Sequence, residues 1–286
     1  MPKVSVIIPC YNQGHFIDEA VDSVLVQTFQ DFEIIIINDG STDGFTVEKL
    51  KNYNKPKTKV LHTLNQGLSE ARNVGANNSS GYLLCFLDSD NKLSSDYLEY
   101  VSREFVFDNQ VAVVYTDAYY FGDRQGEWKQ GNLVFPDMLL RNQIDACSLV
   151  RKKLWEDIGG FNRNMKYGWE DWDFWLNAYE KKAIFKHVNK SLFYYRIVQN
   201  SLIYNIEKEK SKRVYLEQQL ISNHIELYKK YFPDPIRILR EFDWMEEQFK
   251  NFEEVKKQIY GSLSYRLGSS LLMPLKSLAK VLKRWS

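Results

Sequence analysis

Phe32 to Ile37 carries four isoleucines in succession, Ile34 to Ile37, and the run is closed at once by Asn38-Asp39-Gly40-Ser41-Thr42-Asp43-Gly44. Side chains alternate between the two faces of a strand, so an apolar residue at every position needs both faces covered, as in a parallel sheet between helices. The neighbouring sequence supplies the partners. Val4-Ser5-Val6-Ile7-Ile8-Pro9 is a β-branched strand ended by proline, and Phe16, Ala20, Val21, Val24 and Leu25 then recur at helical spacing. A short helix from Phe45 to Lys51, a strand near Val60, a helix from Leu68 to Asn77 and a strand from Tyr82 to Leu87 continue the alternation. Such alternation predicts an α/β fold, a doubly wound sheet with right-handed crossovers.

Ligands of such sheets bind outside the carboxyl ends of the strands. Three polar clusters fall there: Tyr11-Asn12, Asn38-Asp39-Gly40 and Asp88-Ser89-Asp90. In an extended segment residues i and i+2 share a side, so Asp88 and Asp90 can reach one hard cation, Mg²⁺ or Mn²⁺, with positions left for substrate phosphates. A lone Asp-x-Asp also reads as a solvated acidic turn; the two other clusters at the same sheet end favour the metal. Arg72, in Asn65-Gln66-Gly67-Leu68-Ser69-Glu70-Ala71-Arg72-Asn73, can pair with a diphosphate or base edge, or with a neighbouring surface acid. Neither Gly-x-Gly-x-x-Gly nor a Gly-Lys-Ser/Thr loop is present, which leaves a nicotinamide Rossmann domain and a P-loop enzyme unsupported.

Composition narrows the class further. A hydrophobic content of 44% over 286 residues suffices for one large domain and an appendage, and a net charge of +1 offers no field for nucleic acid. Cys10, Cys85 and Cys147 are few and scattered, as reduced thiols are, and His15, His62, His187 and His224 form no zinc pattern. With no signal-peptide segment and no run of about 18 apolar residues, the expectation is a cytoplasmic chain, soluble or peripheral on the inner face of the membrane.

The motifs Val-Ser-Val-Ile-Ile-Pro-Cys-Tyr-Asn, Asn-Asp-Gly-Ser-Thr-Asp, Asn-Gln-Gly-Leu-Ser-Glu-Ala-Arg-Asn-Val-Gly and Leu-Asp-Ser-Asp follow one another here, with Gly159-Gly160-Phe161 and Gly168-Trp169-Glu170-Asp171-Trp172-Asp173 later. In order and spacing this set resembles glycosyltransferase family 2, with its GT-A fold, and the bacterial enzymes of that family that build surface polysaccharide. The resemblance implies that Pro9, Tyr11 and Asn12 border the nucleotide and that Asp39 faces its base or ribose. It implies Arg72 at the nucleotide or its phosphates, Asp88 and Ser89 at the nucleotide sugar, and Asp90, with Asp88, on the metal. Asp171, aided by Glu170, takes the place of the catalytic base. Glu170, Asp171 and Asp173 also suit the first turn of a helix on electrostatic grounds alone. Trp169 is the expected acceptor-stacking residue, while Trp172 and Trp175 read as core. One departure stands out: Val198 occupies a place where many relatives carry a histidine near the metal.

The reaction implied is inverting transfer from a nucleotide-sugar donor, a UDP-sugar first, to a glycan or lipid-linked acceptor, assisted by a divalent metal. A nucleotide-sugar-binding module without catalysis is the alternative. Tyr119 to Asp145 reads as loops that set acceptor choice, without identifying the acceptor. The expected catalytic domain spans 1–205 and a helical region spans 206–286. In the latter Leu239, Phe242, Met245, Phe249, Phe252, Val255 and Ile259 form an apolar stripe suited to packing on the rest of the chain, or to a coiled-coil homodimer. Residues 261–286 hold five Lys and Arg and no acid among leucines, the pattern of a segment that lies on an anionic membrane, or of a solvated closing helix.

Overall fold

The computed structural model describes residues 3–198, 206, 208–265 and 267. The chain forms two compact units, Met1–Tyr228 and Lys229–Ser286. The first is built on a nine-stranded sheet. Its strands are β1 (Val4–Cys10), β2 (Phe32–Asp39), β3 (Thr58–Thr63), β4 (Leu83–Phe86), β5 (Lys92–Leu93), β6 (Val111–Gly122), β7 (Gly126–Trp128), β8 (Leu149–Arg151) and β9 (Ile184–Ile197). The helices are α1 (Ile17–Leu25), α2 (Gly44–Lys51), α3 (Leu68–Asn77), α4 (Tyr97–Phe107), α5 (Lys152–Ile158), α6 (Glu170–Glu180), α7 (Lys210–Asn223) and α8 (Ile225–Tyr231).

Strand order is β3-β2-β1-β4-β8-β6-β9-β5, with β7 paired to β6. The β3-β2-β1-β4 part is parallel, as expected from the isoleucine run, and Ile34 to Ile37 are all fully buried. The chain leaves β1 toward β2 and β3 and returns to β4 on the other side, so a crevice opens at the carboxyl ends of β1 and β4. Beyond β4 the sheet is mixed: β8 runs antiparallel to β4 and β6, so β6 again points the same way as β4. Val6, Ile8, Ile34, Ile36, Cys85 and Leu87 pack on α1 and α4, while Phe86 on the opposite face meets Phe161, which stacks on Phe174 of α6.

The 119–145 stretch is more regular than its sequence suggests. β6 runs on to Gly122, turns back into β7, and Tyr120 stacks on Trp128 with centroids 5.5 Å apart. Gly122 takes φ 89° at the end of β6, against the Ile197 carbonyl, which a side chain would strike. Alternation is hidden here because the aromatics point to both faces of a strand that is only partly covered.

The first unit continues past residue 205 through α7 and into α8, as far as Tyr228. Asp173 of α6, fully buried, accepts hydrogen bonds from Asn223 at 2.5 Å and pairs with His224 at 3.2 Å, and His224 also meets Glu180 at 3.1 Å. Burial opposes charge on His224, but Asp173 and Glu180 outweigh it and hold its pKa above the ordinary value. In the second unit α9 (Pro235–Gly261) buries none of its residues, and all seven of the stripe residues are exposed. The basic segment lies outside the described residues except for Gly261–Tyr265 and Leu267. No helix among the described residues is long and apolar enough to cross a membrane.

Helix α3 lies on β1 at Gly75, where an added Cβ would stand 2.3 Å from Ile7 Cγ2. Gly75→Ala therefore forces helix and sheet apart, and urea unfolding should show a loss of about 1–3 kcal/mol; an unchanged midpoint would mean that this contact yields freely.

Candidate functional site

The expected residues gather at the carboxyl ends of β1, β2 and β4 and at the start of α6. After β1 the chain turns through Tyr11, exposed, and Asn12, whose φ of 55° is left-handed. Asn12 Oδ1 accepts the Thr42 and Asp43 backbone N–H groups at 2.7 and 3.1 Å, so it fastens the turn after β1 to the turn after β2. Gly40 in that second turn has φ 65°, and a Cβ there would come within 2.4 Å of the Asn65 nitrogen. Asp39 ends β2 with both oxygens engaged: Oδ1 accepts Gln66 N–H at 3.0 Å and Oδ2 accepts Gly67 N–H at 2.9 Å. Asp39 thus shapes the entry to α3. Pro9 lies buried within β1 opposite Ile37.

The turn after β4 is equally braced. Ser89 is buried and donates to Gln13 Oε1 at 2.5 Å, and Asn91 N–H closes onto the Asp88 carbonyl at 3.0 Å. From β9, Arg196 donates its backbone N–H to Asn91 Oδ1 at 2.8 Å and its Nε to the Asp90 carbonyl at 2.7 Å, while its Nη2 pairs with Glu19. Asp90 is partly exposed, and burial, then the neighbouring Asp88 charge, push its carboxyl up to about 6. Val198 sits partly exposed just past the end of β9.

Arg72 joins the two halves of the site. It projects from α3, is 1% exposed, and donates from Nη2 to Asp88 Oδ1 at 2.7 Å and from Nη1 to Glu170 Oε1. Burial disfavours its charge, yet Asp88 and Glu170 hold the guanidinium above its ordinary value. Of the two readings of its sequence, ligand contact or surface pairing, neither anticipated this buried bridge. Its Nε and the second oxygen of Glu170, Oε2, remain buried without a partner in the protein.

Asp171, next along α6, is partly exposed; Oδ1 accepts the Trp172 backbone N–H at 2.8 Å and Oδ2 accepts Asn142 Nδ2 at 2.9 Å. Burial and the charge of Glu170 push its carboxyl up to about 7, with Arg72 pulling the other way. Trp169 precedes α6 at φ 60°, partly exposed, with its ring 5.1 Å from that of Trp172. Trp172 and Trp175 are buried and donate their indole N–H groups to Met138 and Ile144 carbonyls at 2.6 and 3.1 Å, so both serve the core.

Two residues of the site escape sequence reasoning. Asn142 holds Asp171, and Asp145 brings a further carboxylate into the field of Asp88, Asp171 and Arg72. Their only signal is Asn-Gln-Ile-Asp just before a short apolar run, which reads as an ordinary turn. Among the described residues no group of three or more His, Cys, Asp or Glu is disposed to hold a metal ion. Two cavities of about 300 and 350 Å³, along Asp117–His187 and Tyr115–Phe185, share no residue with this site.

The chain is 29% identical over 281 residues to chondroitin synthase of Pasteurella multocida strain Pm70, and 30% identical over 281 residues to hyaluronan synthase of Pasteurella multocida, in each case across 91% of this chain. The chain spans about a quarter, 26%, of the length of those proteins. Among solved structures it is similar to S. aureus TarS 1–349 in complex with UDP-GlcNAc, with a TM-score of 0.60 and 22% identity over 81% of this chain and 73% of that one. The UDP complex of TarS 1–349 gives a TM-score of 0.57 and 23% identity over 82% and 72%. The shared fold is GT-A. The sequence model of glycosyl transferase family 2 matches residues 5–172, from β1 through the turn after β4 to the first residues of α6, and the chain belongs to that family.

Proposed function

We propose that this chain transfers a sugar from a nucleoside diphosphate donor, a UDP-sugar carrying a hexosyl or N-acetylhexosaminyl group, to a glycan or lipid-linked hydroxyl, with inversion, in the synthesis of a cell-surface polysaccharide. The observation that carries this reading is the buried bridge from Asp88 through Arg72 to Glu170, which ties the Asp-Ser-Asp turn to the helix that presents Asp171. The UDP and UDP-GlcNAc complexes of TarS and the polysaccharide synthases among the relatives support the donor class.

In this reading Pro9, Tyr11, Asn12 and Asp39 frame the nucleotide, and Asp88 and Ser89 form the turn beneath its sugar. Asp90 and Asp88 suit a divalent cation, Mn²⁺ or Mg²⁺, because both carboxylates come from one turn and are partly exposed, leaving the remaining positions to phosphate and water oxygens. Such an ion, when bound, offsets charge on the departing diphosphate. Arg72 fixes Asp88 and Glu170, which keeps the two sides of the cleft in register. Asp171 takes the acceptor proton from the face opposite the leaving group, and its raised pKa makes it a stronger base than a free aspartate. Trp169 offers a ring for the acceptor sugar. Residues 261–286 lie along an anionic membrane surface where lipid-linked acceptors are found.

Val198 favours a second reading, a donor-binding module without turnover, because a metal ligand common in relatives is missing. Asp171→Asn separates the two. It should lower transfer and donor hydrolysis by about 10²–10⁴-fold while UDP affinity stays within about twofold. The base works ionised, so wild-type kcat/KM should climb with pH and level off above about 7, with the limb gone from the residual activity of the variant. Turnover that survives the substitution would remove Asp171 from the role, and a wild type that binds UDP with Mn²⁺ but never turns over would establish the module. Asp90→Ala should abolish the gain in UDP affinity that Mn²⁺ brings in calorimetry; indifference of wild-type binding to Mn²⁺ would end the metal assignment. Flotation with anionic vesicles should recover the full chain and lose the form ending at residue 260, and equal recovery would place membrane contact elsewhere.

A further inference from the structure

The chain that enters β8 runs back past the turn after β4. The register pairs Leu84 with Val150 and Cys85 with Leu149 in antiparallel sense, so residues before Leu149 travel alongside those after Cys85 and deliver Asp145 beside Asp88. This approach is rigidly held. Trp175 Nε1 of α6 grips the Ile144 carbonyl at 3.1 Å, Tyr97 hydroxyl grips the Cys147 carbonyl at 3.0 Å, and Asn142 three residues earlier holds Asp171. Asp145 turns Oδ1 inward to accept the Cys147 backbone N–H at 2.8 Å. Among the described residues nothing donates to Oδ2, and the side chain is partly exposed.

Resting on the function proposed above, we infer that Asp145 accepts a hydrogen bond from a hydroxyl of the donor's sugar ring, making it a specificity-determining contact for a neutral pyranose. The argument is one of position. In a single displacement the transferred ring lies between the departing diphosphate and the base, here between the Asp88–Asp90 turn and Asp171. Asp145 lies on the segment that joins them, three residues after the Asn142 that holds Asp171 and just ahead of the β8 residues that pair with β4. Its carboxyl is pushed up by burial and then by Asp88 and Asp171, while Arg72 opposes them, so it senses both walls of the cleft. The second oxygen of Glu170 and Nε of Arg72, both buried and without protein partners, mark the same wall as one with polar capacity in reserve. A uronate ring would bring a second carboxyl against Asp145, whereas a hydroxyl of a neutral ring finds an acceptor there.

The test uses the full chain with Mn²⁺ and four donors: UDP-glucose, UDP-galactose and their N-acetylamino counterparts. The one that wild type hydrolyses fastest becomes the probe. Asp145→Ala should raise KM for it about tenfold, the loss of one hydrogen bond, while UDP affinity by calorimetry moves less than about twofold. Asp145→Asn, which keeps an acceptor oxygen and the Cys147 contact, should fall between. Equal losses for UDP and UDP-sugar in both variants would make Asp145 a loop-shaping residue, and unchanged KM in both would leave the ring bound elsewhere; either result overturns the inference. A wild type that binds no UDP, or hydrolyses none of the four, would instead bring down the donor reading on which this one stands.

Discussion

A guanidinium that is 1% exposed between two carboxylates is the tie on which this site depends. Taking the charges of Arg72 and Glu170 out of water is costly, and well-packed apolar residues of the same volume would serve stability as well or better. What the ionic trio supplies is position. Arg72 comes from α3, Asp88 from the turn after β4 and Glu170 from the start of α6, segments up to 98 residues apart in sequence. A fork of fixed N–H directions holds both carboxylates at once, so the Asp88–Asp90 turn and the start of α6 share one reference point. The same field accounts for the spread of acidities around it: Asp171 and Asp90 are pushed up by burial and by neighbouring carboxylates, and Arg72 draws Asp171 back.

Much of the first half of the fold was legible because its physics is local. Four isoleucines in a row require cover on both faces, and the helix from Leu68 to Asn77 appears with those bounds. The gathering of Tyr11, Asp39, Asp88 and Asp90 at one sheet end follows from strand direction alone. What stayed hidden depends on pairings that no periodicity reports. β8 has three residues, too few to alternate visibly, yet its antiparallel register is what brings Asp145 to Asp88. Arg72 was singled out as a cation that pairs with a ligand or with a surface acid; the two acids it meets, Asp88 and Glu170, lie far off in sequence, and a sequence names a cation without naming its acids. Asn12, Asp39 and Ser89 carry structural work that their motifs do not announce: each fastens one loop of the rim to another.

The rim is therefore a set of turns bound to each other more than to the sheet beneath. Asn12 joins the first two strand ends, Ser89 joins the third to the Gln13 turn, and Arg196 reaches from β9 to steady Asp90 through its carbonyl. Carboxylates that carry chemistry must stay ionisable and open to ligand, so their backbones are restrained by neighbours while their side chains are left partly free. Val198 stands at the end of the same strand as Arg196, where a side chain with no lone pair closes off one way of adding a ligand.

Asp173 lies two residues beyond Asp171 and faces the interior, gripped by Asn223 and His224. The family model ends at residue 172, so the footing of the helix that carries Asp171 is laid by chain beyond it. The angle at which that helix presents Asp171 to the cleft is in this way set by helices that come after it in the chain.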